Sequence, residues 1–226
     1  MADPRISRPP EESLARLLGG TRGAVDATLP VVAFVLGWLL AGRSVLAGAV
    51  AAIGVAGGVA AWRLHRRERP RSVLIGLLAV CAAGIVAVYT GRVEDFFLLQ
   101  ILANVASALV WALSIVLRWP LLGVVVGTVL GQKAGWRRDP ALLRAYGRAS
   151  WIWVAQYVVR VAVFLPLWAR ARAAEGDDVI TWTMALGTAR VSLTWPLVAV
   201  CLAVSWWVLR RSLPPSHPGL RHPIPA

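Results

Sequence analysis

Apolar residues occur along this chain in blocks long enough to cross a membrane as helices. The blocks cover approximately these ranges: 23–41, 45–62, 72–90, 96–117, 151–170 and 181–209. Roughly 20 helical residues are needed to cross about 30 Å of hydrocarbon. The pattern therefore predicts an all-α fold, a polytopic membrane helical bundle of about six transmembrane helices.

Polar and proline-rich segments border this apolar region. Residues 1–20 are polar and predict a cytoplasmic tail that is disordered or contains a short helix. Residues 212–226 contain five prolines, which do not sustain a helix, and predict a disordered tail. We expect a single transmembrane domain over residues 21–211.

Composition supports a membrane location. The chain is 58% hydrophobic and 15% charged, whereas soluble domains carry about 25% charged residues. The formal net charge is +13, and the basic residues cluster between the apolar blocks, as they do in cytoplasmic loops. We therefore expect a lipid bilayer, with anionic lipids, as the partner, and not nucleic acid.

The basic clusters also predict an orientation. They lie in the N-terminal tail, in "RLHRRERPR", in "KAGWRRDPALLRAYGR" and after residue 209. Placing all four on the cytoplasmic side of a bacterial inner (plasma) membrane puts both termini inside, after six crossings. The loops around Arg43, Arg92 and Asp177 then face outward.

The apolar segment 120–132 is too short to cross comfortably. We interpret it as a re-entrant or broken helix, because a full crossing would place the next basic loop outside. Seven spans with opposite termini are the alternative. The sequence that follows, "DPALLRAYGRASW", predicts an amphipathic surface helix with Asp139 as N-cap and Pro140 in its first turn.

Polar side chains inside the spans recur at helical spacing. Gln100, Asn104 and Ser107 share one face of the fourth span, and Gln156 and Arg160 share one face of the fifth. Polar groups inside a membrane usually face protein or water. The residues predicted to line a polar cavity are Asp95, Gln100, Asn104, Gln156, Arg160, Arg190 and Thr194. Helix packing alone is the alternative explanation for the stripes.

Two arginines decide the predicted ligand. Arg160 and Arg190 lie well inside their spans, where an arginine costs roughly 2.5–3.5 kcal/mol and needs a partner or water. Few acids lie at similar depth, so we expect an anionic ligand or lipid headgroup. Asp95, in the turn "YTGRVEDFF", is expected at the outer end of the cavity, paired with Arg190 or Arg92.

Small residues and cysteines suggest packing positions. Gly54 and Gly58 have the spacing that brings helices close, either within the molecule or in a homo-oligomer. Cys81 and Cys201 lie inside spans without a Cys/His cluster, so neither a disulfide framework nor a metal site is predicted.

Motifs for catalysis are scarce, and no catalytic residue or cofactor is predicted. The pairs Glu94/Asp95 and Asp177/Asp178 leave an intramembrane enzyme acting on prenyl or lipid diphosphates as a weaker alternative.

The ordered motifs "YTGRVEDFF", "RWPLLGVVVG", "WRRDPALLRAY" and "LGTARVSLTWPL" resemble a family. The family comprises actinobacterial multi-pass membrane proteins of unknown function, which distantly resemble the intracellular septation protein A group. The resemblance covers about residues 18–210 and implies an inner-membrane protein of about six helices. Leu99 and Gln100 stand where the family pattern has a Pro-Gly pair.

The leading functional prediction is a small transporter, channel-like or lipid-handling protein with a polar cavity. The alternative is a structural or regulatory membrane subunit that binds a partner protein through its basic cytoplasmic loops.

Overall fold

A computed structural model describes residues 20–67, 70–131 and 134–213. In that part of the chain the regular structure is entirely helical, which confirms the all-α prediction. The α-helices are α1 Gly20–Leu40, α2 Val45–His65, α3 Pro70–Thr90, α4 Leu98–Val116, α5 Leu121–Val129, α6 Pro140–Ala173 and α7 Asp178–Ser212. Two short 3-10 helices, Val93–Phe97 and Gly135–Arg138, precede α4 and α6.

The helix lengths and composition fit a membrane protein. Five helical stretches are long and apolar enough to cross a membrane, and Thr28–Leu40 is a shorter apolar helix. These stretches correspond to the six predicted spans and confirm a polytopic helical bundle. With 34 and 35 residues, α6 and α7 are each about 50 Å long, so they extend beyond the hydrocarbon layer.

The chain divides into two compact units between Val88 and Tyr89. The predicted single domain over 21–211 is not tested by this division and stays a prediction. In the first unit, α1 and α2 approach closely at two glycines. A Cβ on Gly37 would lie 2.7 Å from the Cβ of Ala51, and one on Gly48 would lie 2.8 Å from the carbonyl oxygen of Phe34.

The glycine pair singled out in the sequence does not make this contact. Gly54 and Gly58 have open space where a Cβ would stand, so the expectation that they pack helices together within the molecule is wrong for the described residues. Their four-residue spacing is shared with other positions of this Ala- and Gly-rich helix. The positions that face α1 decide which glycines matter.

In the second unit, α6 and α7 form an antiparallel hairpin and α4 packs against α6. The hairpin turn includes Gly176 with φ of 59°, a left-handed conformation that favours glycine. At the opposite end of the hairpin, buried residues form a hydrophobic cluster. Its members are Leu122, Trp136, Leu142, Ala145, Tyr146, Ala149 and Leu209.

The segment between α4 and α6 turns back on itself. Its helix, α5, has 9 residues and rises about 14 Å, less than half the hydrocarbon thickness. The Arg137 guanidinium lies 3.7 Å from the centre of the Trp119 ring, and Trp136 packs on Gly123. The two ends of the segment therefore meet, which is the arrangement that the re-entrant interpretation predicts.

Helix α6 begins where the sequence indicates. The Asp139 carboxylate accepts hydrogen bonds from the backbone N–H groups of Ala141 and Leu142 at 2.9 and 3.1 Å, and Pro140 occupies the first turn. The predicted surface helix is amphipathic, with Arg144 and Arg148 exposed and Leu142 and Tyr146 fully buried. It is not a separate element, however, because the helix continues without a break to Ala173.

Candidate functional site

A row of buried or half-buried side chains with polar atoms follows one face of α6. Ser150, Trp153, Gln156 and Arg160 are three or four residues apart, so their side chains project from the same side of the helix. Gln156 is 3% exposed and Arg160 is 7% exposed. The sequence stripe of the fifth span is therefore the face that α6 turns toward its neighbours.

Arg160 connects α6 to α7 through one hydrogen bond. Its Nη2 donates to the backbone carbonyl of Thr194 at 2.9 Å, and its guanidinium carbon lies 5.8 Å from the centre of the Tyr157 ring. Its Nε is buried and has no hydrogen-bond partner among the residues that the structure describes. Among the described residues, no carboxylate forms an ion pair with Arg160. In the described part of the chain, this positive charge therefore faces a carbonyl dipole and an aromatic ring but no negative charge.

The carbonyl that accepts this bond lies beside a helix irregularity. Pro196 occurs inside α7, and its ring nitrogen has no N–H for the carbonyl of Ser192. In the preceding turn, the Ser192 hydroxyl donates to the Thr188 carbonyl at 2.8 Å. Such a proline-containing turn leaves room for a side chain of another helix to reach the backbone.

Among the described residues, seven buried side-chain polar atoms on α6 and α7 lack a hydrogen-bond partner. We call five of the residues that carry them the polar seam: Ser150, Trp153, Gln156, Arg160 and Ser205. The antiparallel pairing fixes the position of the last one. The Cys201 thiol lies 3.8 Å from the Ile152 carbonyl, so Ser205, one turn further along α7, lies near the level of Ser150.

A seam of this kind is costly unless something occupies it. A buried polar group that loses its hydrogen bond costs about 1–3 kcal/mol, and most buried polar atoms in proteins have a partner. Several such atoms on one helix face form a surface that water or a polar ligand could satisfy. Helix packing alone does not account for the unpaired Nε of Arg160.

The polar stripe predicted on α4 lies beside an aromatic contact between α4 and the seam. Trp111 stacks on Trp153 with ring centres 5.2 Å apart. The Asn104 amide donates to the Gln100 carbonyl one turn before it at 2.8 Å. Asn104 is buried and Gln100 is half-buried. These two residues therefore support helix packing, and the role predicted for them in ligand binding stays a prediction.

Asp95 lies at the end of the unit where α6 finishes. Its carboxylate is 1% exposed and accepts bonds from Arg172 Nη1 at 2.7 and 2.8 Å and from Trp168 Nε1 at 3.0 Å. Arg92 donates to the Arg172 carbonyl at 3.1 Å and to Glu94 at 3.4 Å. We call this group (Arg92, Glu94, Asp95, Trp168 and Arg172) the Asp95 cluster.

The prediction that Asp95 pairs with Arg190 or Arg92 is therefore wrong. The structure pairs this carboxylate with Arg172, not with Arg190 or Arg92. Arg190 is half-buried, and its guanidinium makes no ion pair among the described residues. The Asp95 cluster and Arg160 are also separate, since positions 160 and 172 lie about 18 Å apart along α6.

The stretch "YTGRVEDFF" is only in part a solvated turn. Gly91, with φ of 68°, is exposed and reverses the chain. The 3-10 helix Val93–Phe97 that follows is buried at every position. Its two carboxylates face cations of the protein instead of water.

The acidic residues that suggested diphosphate chemistry lie in different environments. Both oxygens of Asp95 are bonded by Arg172, whereas Asp177 and Asp178 are exposed. Within the described ranges, no group of three or more His, Cys, Asp or Glu side chains is placed to hold a metal ion.

Sequence reasoning missed three residues of these sites. Ser150 continues the α6 stripe and could have been found from its spacing to Arg160. Trp168 and Arg172 were assigned to the end of a span and to an outer loop. Their spacing of four residues at a helix end is the one local signal that places them on a common face.

Comparison with known proteins agrees with the resemblance. A family model described as "Protein of unknown function (DUF3159)" matches residues 18–216. No curated protein and no solved structure matches the chain. The match confirms a family of unknown function. The actinobacterial origin and the likeness to the septation protein A group stay predictions.

Proposed function

We propose a function for this chain from the geometry of its second unit. The chain belongs to the DUF3159 family of proteins of unknown function, and the description of that family gives no activity. The proposal is a small membrane transporter, channel-like or lipid-handling protein that holds an anionic solute or headgroup in the polar seam. The observation that carries it is Arg160, which is buried, charged and without a carboxylate partner in the described part of the chain.

Physical chemistry favours an anion at this position. An arginine keeps its charge in almost any protein environment, and a buried charge needs a counter-charge or several strong hydrogen bonds. The carbonyl of Thr194 satisfies Nη2 only. An anion beside Nε would supply the missing acceptor and balance the charge at once.

The distribution of arginines supports an orientation and a lipid environment. At the end of the second unit where the short helix turns back, Arg137, Arg210 and Arg211 lie over the rings of Trp119, Trp206 and Trp207. Stacked arginine and tryptophan side chains suit a membrane interface with anionic headgroups. We place this end, with both termini, on the cytoplasmic side of a bacterial inner membrane.

The first test is ligand retention by the purified full-length chain. Native mass spectrometry from lipid nanodiscs is expected to detect an anionic species that is retained by the wild type and lost from Arg160→Met. Methionine replaces the aliphatic part of the arginine side chain and leaves no buried donor unpaired. Arg148→Met, at an exposed position of the same helix, is the matched control and should retain the species.

Retention by both variants would remove Arg160 from the site. A folded wild type that carries no anion but copurifies with one partner protein in fixed ratio would favour the structural or regulatory subunit instead.

A further inference from the structure

We propose that the occupant of the polar seam is a small monovalent inorganic anion with associated water, of the size of chloride or nitrate. This inference rests on the proposed function, because it names the class of anion held at Arg160. Three independent features of the seam carry it: the kinds of polar atom, the number of charges, and the burial of the groups.

Hydrogen-bond donors dominate the unpaired atoms. Arg160 Nε and Trp153 Nε1 can only donate, and the Ser150 and Ser205 hydroxyls can donate or accept. Gln156 Oε1 is the one obligatory acceptor among the seam atoms. An occupant that accepts hydrogen bonds satisfies such a lining, whereas a cation or an ammonium group would meet donors on most sides.

The charge balance points to a single negative charge. Arg160 is the one cation of the seam, and no carboxylate of the described residues neutralises it. A monovalent anion leaves the site neutral. A phosphate or sulfate dianion would leave one uncompensated negative charge among buried groups, which is costly in a low-dielectric region.

Burial limits the size of the occupant. Gln156 and Arg160 are nearly inaccessible, and the hydroxyl-bearing residues Ser150 and Ser205 are buried as well. A headgroup that remains attached to its glycerol and acyl chains needs an opening toward lipid. The buried positions of the seam suit a free ion of a few atoms that is not attached to a lipid.

The length of the seam gives the anion a path. From Arg160 to Ser150 the polar face extends about 15 Å along α6, toward the end where Trp136 packs on Gly123. One small anion occupies only the Arg160 end of this length. Water at the remaining polar atoms would extend from the anion toward the Trp136 end, and passage would require the hydrophobic cluster there to part.

The test is anion passage in liposomes that contain the full-length chain. Chloride and nitrate entry are followed with an enclosed halide-quenched dye or a nitrate electrode, and sulfate is the divalent comparison. We expect passage of chloride or nitrate but not sulfate, a loss of tenfold or more in Arg160→Met, and an unchanged rate in Arg148→Met.

A second variant guards against misfolding of the first. Trp153→Phe removes the indole N–H while keeping a ring to stack on Trp111, and we expect it to slow passage about threefold. Size-exclusion profiles that match the wild type show that each variant is folded. Wild-type rates in both variants would overturn the inference.

The outcomes separate the two proposals. A retained anionic lipid that is lost from Arg160→Met, without any passage of inorganic anions, would overturn the small-anion inference and leave the proposed site standing. Neither passage nor any retained anion would overturn both. Passage of sulfate at the chloride rate would contradict the single-charge argument.

Discussion

Asp95 shows how a single residue acquires its role from distant parts of the chain. Its carboxylate is almost inaccessible, while the side chain of its partner Arg172 is 41% exposed. The pair is therefore half-solvated, and the Trp168 indole N–H donates a further hydrogen bond to Asp95. The cluster holds the 3-10 helix that precedes α4 to the last turn of α6.

Removing Arg172 alone should cost more than removing both partners of this pair. Arg172→Met leaves a buried carboxylate with one donor, and we expect it to lower the free energy of unfolding by about 2 kcal/mol. Asp95→Asn keeps a group that accepts from Trp168 and should cost less. The double variant should recover part of the loss of Arg172→Met.

Denaturant titrations in mild detergent measure this cycle. Arg170→Met is the control, because Arg170 stacks on Trp182 nearby but does not bond Asp95. Strictly additive effects of the two substitutions would show that the pair contributes no coupling energy.

At the scale of helices, hydropathy alone predicts the spans closely. The predicted range 45–62 corresponds to Val45–His65, and 72–90 corresponds to Pro70–Thr90. The extent of α6 could not be predicted in this way. Arg144 and Arg148 interrupt the apolar pattern, although Leu142 and Tyr146 between and beside them are buried. Hydropathy identifies the long apolar part of a helix. Helix α6 extends beyond that part, and its first turns contribute to the hydrophobic cluster of the protein.

The turned-back segment makes a direct prediction about sidedness. In a Cys81→Ser, Cys201→Ser background, we introduce single cysteines by Arg118→Cys and Arg138→Cys, which flank α5, and by Glu175→Cys at the other end of the unit. An impermeant maleimide should label the Glu175→Cys variant in intact cells, and the other two only after permeabilisation.

Either of two labelling results would contradict this prediction. Labelling of the Arg118→Cys and Arg138→Cys variants from opposite sides would contradict the turn-back of α5. Labelling of both in intact cells, with Glu175→Cys protected, would reverse the proposed orientation.

At the scale of the whole molecule, the polar seam lies within the second unit, and its helices are supplied by separate spans of the sequence. Periodicity predicted Gln156 and Arg160, because both follow the repeat of one helix. It could not predict the partner of Asp95, since Arg172 is 77 residues away in the chain. It also could not separate Asn104, which bonds its own helix, from side chains with unpaired polar atoms.

The most direct test of the central claim is to locate an anion at Arg160. A crystal structure of the full-length protein grown in bromide should show an anomalous difference peak within about 3.5 Å of the Arg160 guanidinium. The peak should be absent in Arg160→Met and unaffected in Arg148→Met. Ordered water alone at Arg160, with bromide bound only beside exposed arginines, would contradict the account.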